Sequence, residues 1–290
     1  MITAHPLVFH LGPLPITGFG IMMALAFAVG GWLIDRECHR LGFRAEYAGD
    51  MIFGALVGGI VGAKLWFVAL HGADALFDRG GLVWYGGFLG GTLGVILSGW
   101  RRRVPMAWTA QLVAPALPAA YAIGRVGCYL VGDDYGVPTN LPWAVRFPEG
   151  MPPTTADNLR AFHVHVAANI PGNTVLAVHP TQLYEVFFMI VVFACIWRWR
   201  TLPRGTGWLF GAYLTLAGIE RFIVEFWRAK DDRNLAGILS ALSIAQVTSI
   251  VVVIAGVVTM VVLAKKPQLS TGPWLTDPPG GLEGGLAGQG

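Results

Sequence analysis

Long apolar stretches dominate this chain, separated by short polar or charged segments. A helix crosses a bilayer with about 20 mostly apolar residues. Seven stretches are predicted to do so: Thr17–Ile34, Met51–Leu70, Leu82–Trp100, Met106–Ile123, Leu183–Trp197, Trp208–Val224 and Leu239–Leu263. Pro115 and Pro118 interrupt the fourth, and the fifth is short but rich in Phe, Val and Ile. The longest polar stretch, Gly124–Pro180, holds turn-forming pairs and a predicted short strand at Trp143–Phe147. Its length predicts a functional segment or a small folded head rather than a plain connector. The stretch after Lys266 is rich in Pro and Gly and predicts disorder. There is no internal repeat and no linker. Residues 1–266 therefore read as a single polytopic membrane domain and 267–290 as a tail. The expected fold class is an all-α membrane protein of about seven transmembrane helices.

Composition sharpens this. Hydrophobic residues make 54% of the chain and charged residues only 13%, about half the share of an ordinary soluble domain. That excludes a cytosolic globule, a disordered chain and a fibre. A net charge of +3 points to no nucleic-acid partner. Three cysteines, Cys38, Cys128 and Cys195, make no disulfide framework. No HExxH or Cys/His cluster suggests a metal, and no cofactor is expected. The first apolar run has no basic segment before it, so no cleavable signal peptide is expected.

The few charges are placed informatively. Arg36, Arg40, Arg44, Arg101, Arg102, Arg103, Arg198, Arg200, Arg204, Lys265 and Lys266 follow the odd-numbered spans. The other side holds Arg79, Arg125, Arg146, Arg160, Arg228, Lys230 and Arg233. The eleven basic residues of the first group mark the cytoplasmic side. The N-terminus is then outside, the C-terminus inside, and the head outside.

Glycines recur every four residues in two spans: Gly54, Gly58 and Gly62, then Gly86, Gly90 and Gly94. This is a small-residue stripe for close helix contact. Gly86 and Gly87, beside Tyr85 and after Gly80–Gly81, also suit a close approach of backbone to a ligand.

Ionisable groups at membrane depth are costly and point to function. Arg125 lies at the outer end of the fourth span, and Arg221 and Glu225 at that of the sixth. Arg221 and Glu225 are four apart and share a helix face. Glu220, on another face, is expected to be structural, and Lys64 to pair or snorkel. Guanidiniums bind phosphate bidentately, and a carboxylate among them suits a base. HPTQLYE (His179–Glu185) adds Gln182 and Glu185 as a polar wall. The residues thus describe an outward-facing site for an anionic lipid.

Taken together, the motifs resemble the prolipoprotein diacylglyceryl transferase family. They are HPLVFHLGPLPI…GFG, GG…WYGG, GRVGCYLVGDDYG, HPTQLYE, RFIVEFWR and LSIAQ (Leu242–Gln246), in order across residues 5–260. The resemblance implies seven spans and a small periplasmic head in the bacterial inner membrane, with the active site facing the periplasmic leaflet. It implies transfer of the sn-1,2-diacylglyceryl group of phosphatidylglycerol to the lipobox cysteine thiol of a prolipoprotein signal peptide. Arg125 would bind the head group, with Gly127, Asp133 and Gly136 in the signature around it. Arg221, Glu225 and Tyr85 would serve the reaction centre, with Gly86, Gln182 and Glu185 beside the lipid. Tyr85 stands where the family pattern has His, Cys128 where it has Asn, and Phe19 and Ala217 where it has Tyr. Tyr is a poorer base than His, so Glu225 is expected to take the thiol proton.

Three other readings compete. A transporter or channel for a small polar or anionic solute would use Lys64, Arg221 and Glu225 as a polar path, but these charges gather at one interface. A paralogous transferase with a different acceptor would explain the four departures. A catalytically silent lipid-binding scaffold is disfavoured by the retention of Arg125, Arg221 and Glu225.

Overall fold

In the computed structural model, which describes residues 2–12, 14–77, 83–229 and 242–269, the apolar stretches are helices. In chain order they are α1 (Gly18–Leu41), α2 (Glu46–His71), α3 (Trp84–Arg101), α4 (Met106–Val113), α5 (Ala116–Val131), α6 (Ala156–Ala161), α7 (Thr181–Trp199), α8 (Trp208–Val224) and α9 (Ile244–Leu263). Four of them, α1, α2, α7 and α9, are long and apolar enough to cross a membrane. A helix satisfies its own backbone groups, which is what hydrocarbon demands. Bulky apolar side chains point outward: Phe53 and Leu65 on α2, Trp100 on α3, Val261 on α9. Such surface suits lipid and would be a liability in water.

Several boundaries differ from expectation. α1 runs past Ile34 to Leu41, because buried Glu37 pairs with Arg40 at 2.6 Å and lets the charged turns stay helical. The predicted span Met106–Ile123 is two helices. Pro115 has no N–H to donate and its ring crowds the preceding turn, so the helix stops before it. Pro118 lies in the first turn of α5, where proline is tolerated. α5 then continues to Val131, so the stretch that starts at Gly124 opens as helix. Leu82, Leu239, Arg79, Gly80–Gly81, Lys230, Arg233 and residues 270–290 of the tail lie outside the described residues.

Contacts divide the chain into two units: Met1–Ala28, Leu117–Leu202 and Trp208–Val262, then Val29–Ala116, Pro203–Gly207 and Leu263–Gly290. In the first, β1 (Ile2–Thr3) runs parallel to β4 (Val145–Arg146), while β2 (Val8–Leu11) and β3 (Leu14–Thr17) form a hairpin. The strand expected at Trp143–Phe147 is the narrower β4. The segment before α7 is folded around Tyr135, Val145, Phe147, Leu159 and Val178. Within it, Thr155 caps α6 by accepting a hydrogen bond from the Asn158 N–H.

In the second unit α2 and α3 pack through their glycines. A Cβ on Gly58 or Gly90 would meet the other's carbonyl oxygen, and the Gly62–Gly86 and Gly54–Gly94 pairs behave alike. The stripe is therefore a helix contact, as expected, and Gly86 belongs to it. Asp50 and Arg102 join the far ends of these helices at 2.5 Å. Lys64 lies 5.2 Å over the Phe67 ring.

Candidate functional site

α5 ends in a tight reversal. The Gly132 N–H donates to the Tyr129 carbonyl and the Asp133 N–H to the Cys128 carbonyl. Gly132 has φ +68°, the left-handed cap that favours glycine. Asp134 follows with φ +58°, which Asp tolerates. The chain doubles back, so the Asp134 carboxylate returns to the Arg125 side chain of the helix it has just left. The Arg125–Asp134 distance is 2.7 Å.

Arg125 meets a second carboxylate on α7. Its guanidinium lies 2.6 Å from Glu185 Oε2 and donates to Oε1 at 2.9 Å. Glu185 is fully buried, three residues beyond Gln182 on α7. The Tyr121 hydroxyl, one turn before Arg125, accepts from Arg125 and donates to Glu185, both at 3.3 Å. Gln182, also buried, donates to the Asp133 carbonyl at 2.5 Å and so ties α7 to the reversal. Asp133 itself is exposed, and its carboxylate accepts the Asp134 N–H at 2.7 Å.

α8 supplies the other half. Arg221 and Glu225 pair across one turn at 2.5 Å, as their spacing predicts. Three residues further, Arg228 lies 3.7 Å from Glu225, 2.6 Å from Asp134 and 3.9 Å from Glu185. The Arg125 and Arg221 ends are thereby joined into one network of three guanidiniums and three carboxylates. Burial lifts the Asp134 carboxyl, but Arg228 and Arg125 outweigh it and hold it at about 2, below the usual 3.8. Arg221 is 28% exposed while Arg228 is 9%, so the network is more open at its Arg221 end.

α9 holds Glu225 from the other side. Ser243 caps this helix: its hydroxyl accepts the Gln246 N–H at 3.1 Å, and the Gln246 side chain accepts the Ser243 N–H at 3.0 Å. This is a capping box. The same Ser243 hydroxyl donates to Glu225 Oε1 at 3.0 Å. The LSIAQ segment thus has a physical role that its sequence alone does not reveal.

The glycines of the signature have close neighbours. A Cβ on Gly136 would strike the Trp227 carbonyl, His179 and Thr181. The Gly136 N–H donates to the His179 carbonyl and the Val137 N–H to that of Trp227, which fixes Arg228 beside Asp134. Gly127 faces Phe19 and Met22 of α1. Nearby, Trp143 donates to the Tyr184 hydroxyl at 2.8 Å, leaving the Tyr184 proton for His179 Nδ1 at 3.0 Å. Burial holds the His179 pKa below its usual value.

Of the sequence-predicted residues, Arg125, Glu185, Arg221 and Glu225 meet in the network, with Gln182 and the Asp133 backbone at its edge. Tyr85 and Gly86 lie on α3 in the second unit, Tyr85 exposed and Gly86 buried. Sequence pattern missed Tyr121, Asp134, Arg228 and Ser243. Two signals were present: Tyr121 is four residues before Arg125, and Arg228 is three after Glu225, each on the same helical face or its continuation.

Residues 6–262 match the family described as prolipoprotein diacylglyceryl transferase. The chain is 33% identical over 277 residues to the phosphatidylglycerol–prolipoprotein diacylglyceryl transferase of Paraburkholderia phymatum, covering 88% of this chain and 91% of that protein. The protein of that name from Burkholderia thailandensis is 33% identical over 280 residues, covering 88% and 93%. The one from Pseudoalteromonas translucida is 28% identical over 263 residues, covering 87% and 90%.

Proposed function

We propose that this chain, which belongs to the prolipoprotein diacylglyceryl transferase family, moves the sn-1,2-diacylglyceryl group of phosphatidylglycerol onto the lipobox cysteine thiol of a prolipoprotein signal peptide. The observation that carries the site reading is the joining of Arg125 and Arg221 through Arg228 and three carboxylates. The lipid phosphate would draw guanidiniums from their carboxylates. The thiol loses its proton to Glu225, and the sulfur attacks the glyceryl carbon bonded to the phosphate ester. The C–O bond breaks as the C–S bond forms, and glycerol phosphate leaves with the electron pair. Arg125 and Arg221 stabilise the charge growing on that phosphate, in a site where low polarity strengthens them. Tyr85 assists the proton transfer, an assignment supported by the resemblance of the motifs. Gly86, Gly127, Asp133, Gly136, Gln182 and Glu185 shape the lipid side. The proposal includes seven spans in one polytopic domain over residues 1–266, an inner-membrane location, and a site open to the periplasmic leaflet.

Complementation of a transferase-depleted bacterium, with mass spectrometry of a reporter lipoprotein, tests this. The expected result is a mass gain of one diacylglyceryl group, lost in Arg125→Ala and in Arg221→Ala. Full lipidation by both variants would overturn the site assignment, and no mass gain with the unaltered chain would overturn the activity.

A further inference from the structure

Glu220, one residue before Arg221 on α8, is 3% exposed, and among the described residues neither of its carboxyl oxygens has a hydrogen-bond partner. Glu185 Oε2 and Glu225 Oε2 also lack aligned hydrogen bonds, but each touches a guanidinium, at 2.6 and 2.5 Å. Glu220 has no such contact among the described residues. The charged groups that act on it are Glu185 from α7, Arg125 from α5, Arg221 from its own helix, and Arg228 beyond it. Two tyrosines, Tyr121 of α5 and Tyr213 of α8, share its field.

The charge count decides what Glu220 can be. Among the described residues, Arg125, Arg221 and Arg228 are balanced by Asp134, Glu185 and Glu225. A fourth buried carboxylate would leave the network with a net negative charge away from water, and a buried charge without a partner is strongly disfavoured. A protonated Glu220 leaves it neutral. It also leaves the guanidiniums able to receive an anion, because an ionised Glu220 would repel the same phosphate that Arg125 attracts.

We propose that Glu220 is a proton-held positioning residue: it must carry its proton for the arginine network to accept an anionic phospholipid head group. The inference rests on reading that network as the head-group site. It makes binding of the anionic lipid weaken at alkaline pH, while binding of an uncharged lipid with the same chains does not change.

The test is equilibrium binding of dioctanoyl phosphatidylglycerol to the purified full chain in nanodiscs, from about pH 6 to about pH 9.5, with dioctanoylglycerol as the uncharged control. The phosphodiester keeps its single charge across this range, and the arginines keep theirs. The expected result is an affinity for phosphatidylglycerol that falls about tenfold toward high pH, with dioctanoylglycerol unaffected. Glu220→Gln should bind phosphatidylglycerol without that fall. Glu220→Met, of similar volume and without a titrating group, should do the same and replaces Gln if that variant does not fold. A flat profile for the unaltered chain overturns the proposal. So does a fall that persists in the variants, which would assign it to Tyr121 or Tyr213. Saturable binding with a flat profile leaves the head-group reading standing, whereas no saturable binding at any pH overturns both.

Discussion

Removing Arg228 would take a guanidinium from Asp134 at 2.6 Å, Glu225 at 3.7 Å and Glu185 at 3.9 Å and leave these three carboxylates to Arg125 and Arg221, one positive charge short. Taking one partner from a buried ion pair costs about 3–5 kcal/mol because the other charge stays behind. Arg228→Ala is therefore expected to lower the melting temperature and to lose lipidation together. Arg228→Lys should recover little, since an ammonium cannot span several carboxylates as a planar fork does. Lipidation by Arg228→Lys at the unaltered rate would show that charge alone suffices. Asp134 makes a pH prediction. Its carboxyl is held at about 2 in the folded chain, against 3.8 ordinarily. The stability it contributes is thus complete above about pH 4 and is lost as pH falls toward 2. Asp134→Asn should flatten the acid limb of a thermal-stability profile between those values and leave its slope near neutrality unchanged. Arg125, Glu185, Arg221 and Glu225 were legible because ionisable residues in apolar stretches are conspicuous. Asp134 and Arg228 were not, since their meeting depends on the left-handed reversal after Gly132 and on two backbone hydrogen bonds from 136–137.

At the scale of elements, the capping box of α9 links a local device to the site. Ser243 both caps the helix and donates to Glu225. Gly at an N-cap costs only a few tenths of a kcal/mol, whereas Ala costs about 1. Ser243→Gly should therefore melt close to the unaltered chain yet lose much of its activity, because Glu225 loses a donor. Ser243→Ala should lose both, and Ser243→Thr should keep both. Equal activity in the Gly and unaltered chains would reduce Ser243 to a cap. Helix existence was readable from apolar length, and the α2–α3 contact from glycines four apart. The split at Pro115 was visible only as an interruption, because proline in a first turn and proline that ends a helix look alike in sequence. Gly127 and Gly136 carried a motif meaning, whereas their packing against Phe19, Met22, His179 and Thr181 depends on partners distant in the chain.

For the whole molecule, the proposed orientation rests on where the basic residues fall. Arg101 ends α3, Arg102 and Arg103 follow it, and Lys265 and Lys266 follow α9. The segment with Asp157 joins α5 to α7, and the proposed topology puts it on the side opposite both basic groups. Positive residues resist transfer across the membrane, so both basic groups should remain cytoplasmic, with Asp157 across the bilayer from them. Single cysteines placed in a cysteine-free chain read this directly. Asp157 is 71% exposed and Leu269 49%, so either position admits a thiol reagent. A membrane-impermeant maleimide should label Asp157→Cys in cells whose inner membrane is intact, and Leu269→Cys only after that membrane is opened. The reverse pattern would invert the topology and put the arginine network at the cytoplasmic leaflet. Labelling of both in intact cells would place the two positions on one side, which requires an even number of crossings between α6 and the end of α9. Three crossings, α7, α8 and α9, are what the proposed topology places there, although α8 is not among the four helices long and apolar enough to span by themselves. It is 17 residues long, and Arg221 near its end is held by Glu225 of the buried network.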